Sequence, residues 1–475
     1  KYAHQNVAFE AVDLKAGRYK VINRFYFTNL KKYDVRYELQ ANGSVIKKGK
    51  IALEVNPQTA AEFTIPVVVT VGKPGVEYFV CFSVVTRQAE PLIPIGHEIA
   101  QEQFRLPLEM KKDSYETSGK VLEWKAENGK VIVSSSEVYF EFDKVTGMVT
   151  SYKVNGTEYF DKAFGVQPNF WRAPNDNDYG NSNPKRLQIW KESSRDFKVS
   201  DTAVREEGET VLMSVTYDLP AGNQYLITYR IYRDGVVNVN VKFTPTNREA
   251  EKTEVLEDTN LATFTPGKKA KKKDVLEVPR IGVRFRIPHV MNRVEYFGRG
   301  PVENYIDRNA GSMVGRYKTS ANDMYVNYVR PQENGHRTDT RWVSFTNTAG
   351  RGLLVLAEKT VGFNALRNTV EDFDSEESSH PYQWRNRSPK EIADKNEAEA
   401  KNVLRRMTHV NDIVPRDFVE VCIDMKQQGV AGYDSWGAKV QPGYTIPANK
   451  DYVWGFTLIP VRNAGDVNKS LRYTY

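Results

Sequence analysis

Four stretches of this sequence are dense in Asn, Asp, Arg and aromatic residues where a plain strand would alternate polar with apolar. They are residues 169–180 (NFWRAPNDNDYG), 297–308 (FGRGPVENYIDR), 328–335 (YVRPQENG) and 432–437 (GYDSWG). In non-periodic loops such side chains either close turns by bonding to nearby backbone or present polar groups and aromatic faces to a sugar. Hydrolysing a sugar or an ester requires paired carboxylates or an activated nucleophile. Carboxylates are plentiful here, yet none is marked as a general acid, and no GxSxG is present. The stretch Gly298-Arg299-Gly300 is not followed by a helical pattern and is no phosphate loop. The residues alone therefore point to no catalytic set.

The other reactive side chains are scattered. His4, His97, His289, His336, His380 and His409 stand singly without HxxxH or CxxC spacing, so no protein-only zinc site is expected. Cys81 and Cys422 lie in apolar, strand-like runs and are expected as two buried thiols, which leaves the compartment open. Lys and Arg number 67 against 60 Asp and Glu, a net charge of +7. Five of those charges sit together at Lys268, Lys269, Lys271, Lys272 and Lys273, with no arginine or aromatic interleaved. This segment, opened by Pro266-Gly267, is expected as a solvated hairpin loop, and no nucleic-acid partner is expected. No run of about 18 apolar residues is present, so no transmembrane helix is expected either. The opening KYAHQNVAFEAV has no apolar signal-peptide core.

The elements that must position the four stretches are strands. Val35, Tyr37 and Leu39 alternate with Arg36, Glu38 and Gln40 up to Asn42-Gly43, a hairpin signature. The same period of two runs through Tyr78, Val80, Phe82 and Val84, through Val138, Phe140 and Phe142, and through Tyr229, Ile231, Val237, Val239 and Val241. Strands do not alternate with long amphipathic helices, so the fold class is all-β. A polar stretch over residues 107–120 marks a boundary. The first 110 or so residues have the size of an immunoglobulin-like sandwich, and the remainder suits one very large antiparallel sandwich or two fused sheets. One helix is expected from the capping box Ser388-Pro389-Lys390-Glu391, inside a polar insertion at 371–411.

In this order the four stretches resemble the C-terminal region of bacterial β-galactosidases of the lactose-operon type, glycoside hydrolase family 2. RAPNDNDYG resembles that family's RAP-x-DND-x-G, GRGPVENYIDR its G-x-GP-x-ENY-x-DR, YVRPQENG its Y-x-x-P-x-ENG, and GYDSWG its DDSW. NRFYFTNL and IGHEIAQEQFRL also fit the sandwich that follows the family's catalytic barrel.

The resemblance implies an immunoglobulin-like β-sandwich over residues 1–112. Residues 118–475 would form a terminal supersandwich, a fold shared with galactose mutarotases. It places the catalytic glutamates, and the magnesium and sodium ligands, in preceding domains absent from this chain. This chain alone is then expected to hold no catalytic residue, metal or cofactor. Trp436 matches the family's DDSW tryptophan, an aromatic wall of the sugar pocket, although Tyr433 departs from the family's usual Gly or Asp. Gly180, Asn181 and Ser182 match a mobile loop flanking that pocket. Arg172, Asp176, Asn177, Asp178, Glu303, Asn304, Asp307, Arg308, Glu333 and Asn334 are read as loop-locking groups. The implied partners are a galactoside, the chain's own catalytic domains and, in the full-length protein, further copies. Two alternatives stay open: a stand-alone carbohydrate-binding module, and a mutarotase-like enzyme, for which His336 is the nearby candidate.

Overall fold

A computed structural model describes residues 2–66, 69–246, 277–374, 409–434 and 437–475. The five-lysine segment, the helix expected from Ser388 and most of the 371–411 insertion lie outside the described residues. So do Ser435 and Trp436.

Two sandwiches follow one another. In the first, a three-stranded sheet (Val7–Asp13, Arg18–Asn23, Ala60–Thr64) faces a four-stranded sheet ordered Ser44–Ile51, Tyr33–Ala41, Tyr78–Thr86, Glu98–Arg105. Alternation dictates the facing: Val35, Tyr37, Leu39, Val80, Phe82 and Val84 point inward against Phe9, Tyr19 and Val21 from the opposite sheet. The hairpin at Asn42-Gly43 closes as its residue types require. Both take positive φ (45° and 77°), with Ala41 paired to Ser44 across the turn.

The second sandwich is much larger. A five-stranded sheet running from Glu123–Glu127 to Thr157–Glu158 covers a twelve-stranded antiparallel sheet. One core joins them: Val131, Phe140 and Tyr152 of the smaller sheet pack with Tyr229, Phe285 and Phe363 of the larger. The longest strand, Gly352–Leu366, bonds along one edge first to Tyr452–Val461 and then to Phe418–Gln427. It changes partner at the exposed Glu358, Lys359 and Thr360. The fold is therefore all-β, an immunoglobulin-like sandwich followed by an antiparallel supersandwich.

The two bodies meet on the outer face of the large sheet. Phe79 of the first packs with Phe297, Trp342, Leu354 and Leu356 of the second. Gln103 and Val314 exchange hydrogen bonds at 2.8 Å, and Arg341 pairs with Glu77 at 2.9 Å. Among the described residues no helix is long and apolar enough to cross a membrane.

Candidate functional site

The motif stretches converge on the segment that leaves strand Phe418–Gln427. Arg172 lies beneath it, 2% exposed, and forks onto Asp178 through Nε at 3.2 Å and Nη2 at 3.0 Å. The same guanidinium donates to the carbonyls of Gln428 at 2.7 Å and Gly429 at 2.9 Å. Asp178 also accepts from Asn183 Nδ2 and from the backbone N–H of Asn175. Asn175 caps the short helix Asp176–Gly180 and sends its amide to the carbonyl of Val430 at 2.7 Å. Asp307, in the second stretch, accepts from Ala431 N at 2.9 Å. Two stretches thus grip four consecutive residues, 428–431, that lead into the fourth.

The third stretch ties the first two together. Arg330 pairs with Asp176 at 3.1 Å and lies over the Tyr179 ring at 3.8 Å. Glu303 accepts from Tyr328, from Arg308 at 2.6 Å and from Gly335 N at 2.9 Å. Asn304 accepts from Thr338 N and Oγ1 and donates to the carbonyls of Arg299 and Val302. Asn334 accepts from Val326 N and donates to the carbonyl of Gln332.

An open pocket of about 350 Å³ lies where these stretches meet. Asn175, Asp176, Asn177, Tyr305, Arg308 and Tyr328 line it, with Gln332, Glu333, Val430 and Ala431. Its carboxylates are engaged: Asp176 by Arg330 and Glu333 by Arg280 at 3.1 Å. Beneath it, Arg280 is fully buried between Glu333 and Asp424, the latter 3.3 Å away. Burial pushes the Asp424 carboxyl from an ordinary 3.8 up to about 7, against the pull of Arg280. Burial also raises Glu333. His336 stacks on Tyr305 at 5.4 Å and is buried with Gly362 against its ring. Burial and the nearby Arg280, Arg337 and Arg172 hold its pKa well below the imidazole range. It is not among the residues that line the pocket.

Gly180 and Ser182 are exposed and Asn181 is half-buried. The stretch expected as a loop is in fact interrupted by two short helices, Asp176–Gly180 and Asn183–Arg186, because Asn175 and the Pro at the second helix's first turn supply start signals. Ser182 joins them at φ 59°. The backbone of Gly437 lies directly on this junction. A Cβ at Gly437 would come within 2.5 Å of the Gly180 carbonyl, and its φ of +102° is one that glycine accommodates. The two loops singled out in the sequence are therefore neighbours, although Trp436 itself lies outside the described residues. Sequence reasoning missed Arg280, Asp424 and the 428–431 segment. A lone Asp inside the apolar run Val421-Cys422-Ile423-Asp424-Met425 was the available signal. Among the described residues, no group of three or more His, Cys, Asp or Glu is arranged to hold a metal ion.

Two family models match the chain. The one described as beta galactosidase small chain matches residues 134–458, and the one described as beta-galactosidase, domain 4, matches residues 19–107. A β-galactosidase of Priestia megaterium is 31% identical over 464 residues, covering 97% of this chain and 39% of its own length. One from Streptococcus thermophilus is 25% identical over 465 residues, with the same coverage. The chain thus spans about 39% of the length of these relatives. A solved galactose 1-epimerase from Lactobacillus acidophilus NCFM covers 73% of the chain at 6% identity and a TM-score of 0.36, too low to bear on the fold. All four motif stretches fall inside the longer family match, and the chain belongs to the beta galactosidase small chain family, as a C-terminal region of such longer proteins.

Proposed function

We propose that this chain is the non-catalytic C-terminal portion of a β-galactosidase that cleaves terminal β-D-galactosides with retention, shaping the sugar pocket without performing the chemistry. The observation that carries this reading is the contact of Gly437 with Gly180 and Asn181. It sets Gly437, the sequence neighbour of Trp436, against the 180–182 junction, beyond a segment locked by Arg172, Asn175 and Asp307. Trp436 supplies an indole wall for the apolar C–H face of a pyranose, and Gly180, Asn181 and Ser182 flank it. The pocket carboxylates Asp176 and Glu333 are paired with Arg330 and Arg280, which supports a positioning role for them. On this reading the catalytic carboxylates, with magnesium and sodium, belong to the remainder of the protein, which works as a homo-oligomer.

The test compares the 475-residue chain with the longer polypeptide on an aryl β-galactoside. The chain is expected to show no turnover. In the longer protein, Trp436→Ala should raise KM more than it lowers kcat. Turnover by the chain alone, or an unchanged KM in Trp436→Ala, would overturn the reading. Galactose binding by the isolated chain that is lost in Trp436→Ala, with no activity in the longer protein, would favour a carbohydrate-binding module.

A further inference from the structure

The first sandwich turns large apolar side chains to solvent at one end. Tyr26 and Phe27, in the loop after strand Arg18–Asn23, are 75% and 96% exposed, and their rings lie against each other at 6.2 Å. Leu92 and Ile95, in the loop between Tyr78–Thr86 and Glu98–Arg105, are fully exposed and 68% exposed, with Ile93 beside them. The two loops share an end. Tyr33 pairs with Thr86, Phe25 stacks on Tyr33 at 5.7 Å, and Lys32 reaches Glu90 at 2.7 Å. Thr86 Oγ1 donates to the carbonyl of Pro94 at 2.7 Å.

Both loops are built rather than slack. Asn23 holds the carbonyls of Thr28 and Val55 and accepts from Phe25 N. Gln58 donates to the carbonyls of Arg24 and Phe25. Glu90 and Ile93 exchange both backbone hydrogen bonds at 2.9 Å around Pro91-Leu92, which places Leu92 at φ +65°. Turns give that position to glycine, because a side chain there meets its own backbone. Leu92 thus takes an unfavourable conformation and is fully exposed among the described residues. Two clusters of exposed apolar side chains at one end of a sandwich mark an interaction site.

We propose that this end of the first sandwich is the docking surface for the part of the β-galactosidase polypeptide that lies outside these 475 residues. The inference rests on the functional reading above. Three observations choose this occupant. The chain spans only about 39% of its relatives' length. The first sandwich matches a family described as domain 4 of a β-galactosidase. Arg24 N donates to the carbonyl of Asn6 at 2.8 Å, so polypeptide leading into strand Val7–Asp13 passes beside the Tyr26-Phe27 loop. The surface fits an apolar face that also meets the Lys32–Glu90 pair joining its two loops.

The test places a photo-crosslinker at the patch of the longer polypeptide, as Phe27→p-benzoylphenylalanine and separately as Leu92→p-benzoylphenylalanine. Irradiation should join each to a peptide outside residues 1–475 without changing the mass of the denatured chain. A doubled mass would overturn the proposal in favour of a second copy. A link confined to residues 1–475, or no link at either position, would overturn it outright. Activity on an aryl β-galactoside is measured on the same preparations. Its absence from the unsubstituted longer protein counts against the functional reading, whatever the cross-links show.

Discussion

Two regions of this molecule break the usual rule of apolar inside and polar outside, in opposite directions. Around residues 428–431, Arg172, Asp178, Arg280, Glu333 and Asp424 are buried. At the far end of the first sandwich Tyr26, Phe27, Leu92 and Ile95 are exposed. The buried groups mostly have partners in this chain, and those partners join the first and third stretches to residues 280 and 424–429 of the large sheet and the segment leaving it, so they lock loops to the sheet. Among the described residues the exposed groups have no such partners, although their loops are well tied. A buried polar cluster that is satisfied reports positioning, while a displayed apolar cluster reports a missing surface. On the proposed function the first region supports a pocket wall, and on the proposed docking the second meets the remainder of the protein.

The largest effect should come from breaking the lock. Arg172→Ala leaves the buried Asp178 carboxylate without its guanidinium partner and frees two carbonyls, and should cost about 3–5 kcal/mol in urea unfolding of the large sandwich. Gly437→Ala drives a Cβ into the Gly180 carbonyl. It should cost about 1–3 kcal/mol and, in the longer protein, raise KM for an aryl galactoside as the two loops separate. If either substitution proves silent, the buried cluster is not a lock and the contrast loses its first half.

The Asp424 carboxyl sharpens the same half through pH. Its folded pKa, raised to about 7, exceeds its unfolded value near 4. The folded state therefore binds more protons between those limits, and its stability contribution falls as pH rises from about 4 to 7. The stability of the native chain relative to Asp424→Asn should decline across that window and level off above it, as measured by melting temperature. A difference that grows with pH would contradict the burial that sets this pKa.

The smallest effects belong to the exposed end. Leu92→Gly relieves the positive φ and should leave the isolated chain unchanged or up to about 1 kcal/mol more stable. Phe27→Ser should stay within about 0.5 kcal/mol. Losses well beyond these in the isolated chain would mean that the apolar end supports its own sandwich, and the comparison would fail there.

What the sequence disclosed follows the range of the interactions. Strands with a period of two, such as Tyr78–Thr86, and the turn at Asn42-Gly43 are written locally. The short helices at Asp176–Gly180 and Asn183–Arg186 carry only the start signals of Asn175 and Pro184, because one turn shows no periodicity. Arg172 stood out within its motif, whereas the carbonyls it binds, 256 and 257 positions away, carry no residue-type signal. Arg280 looks like an ordinary strand residue, and Asp424 is marked only as a lone Asp in an apolar run, until the sheet sets them side by side. The exposure of Phe27 and Leu92 was equally hidden, since the same residue types fill the core elsewhere.

On the proposed function, the Arg172 lock positions the loop bearing Trp436. A double-mutant cycle in the longer polypeptide tests it directly, with Arg172→Lys and Trp436→Ala read out as kcat/KM on an aryl β-galactoside. Positioning predicts that Arg172→Lys lowers kcat/KM about tenfold in the native background and has little effect once Trp436 is gone. Equal losses in both backgrounds would mean that the two residues act independently, and would contradict the account.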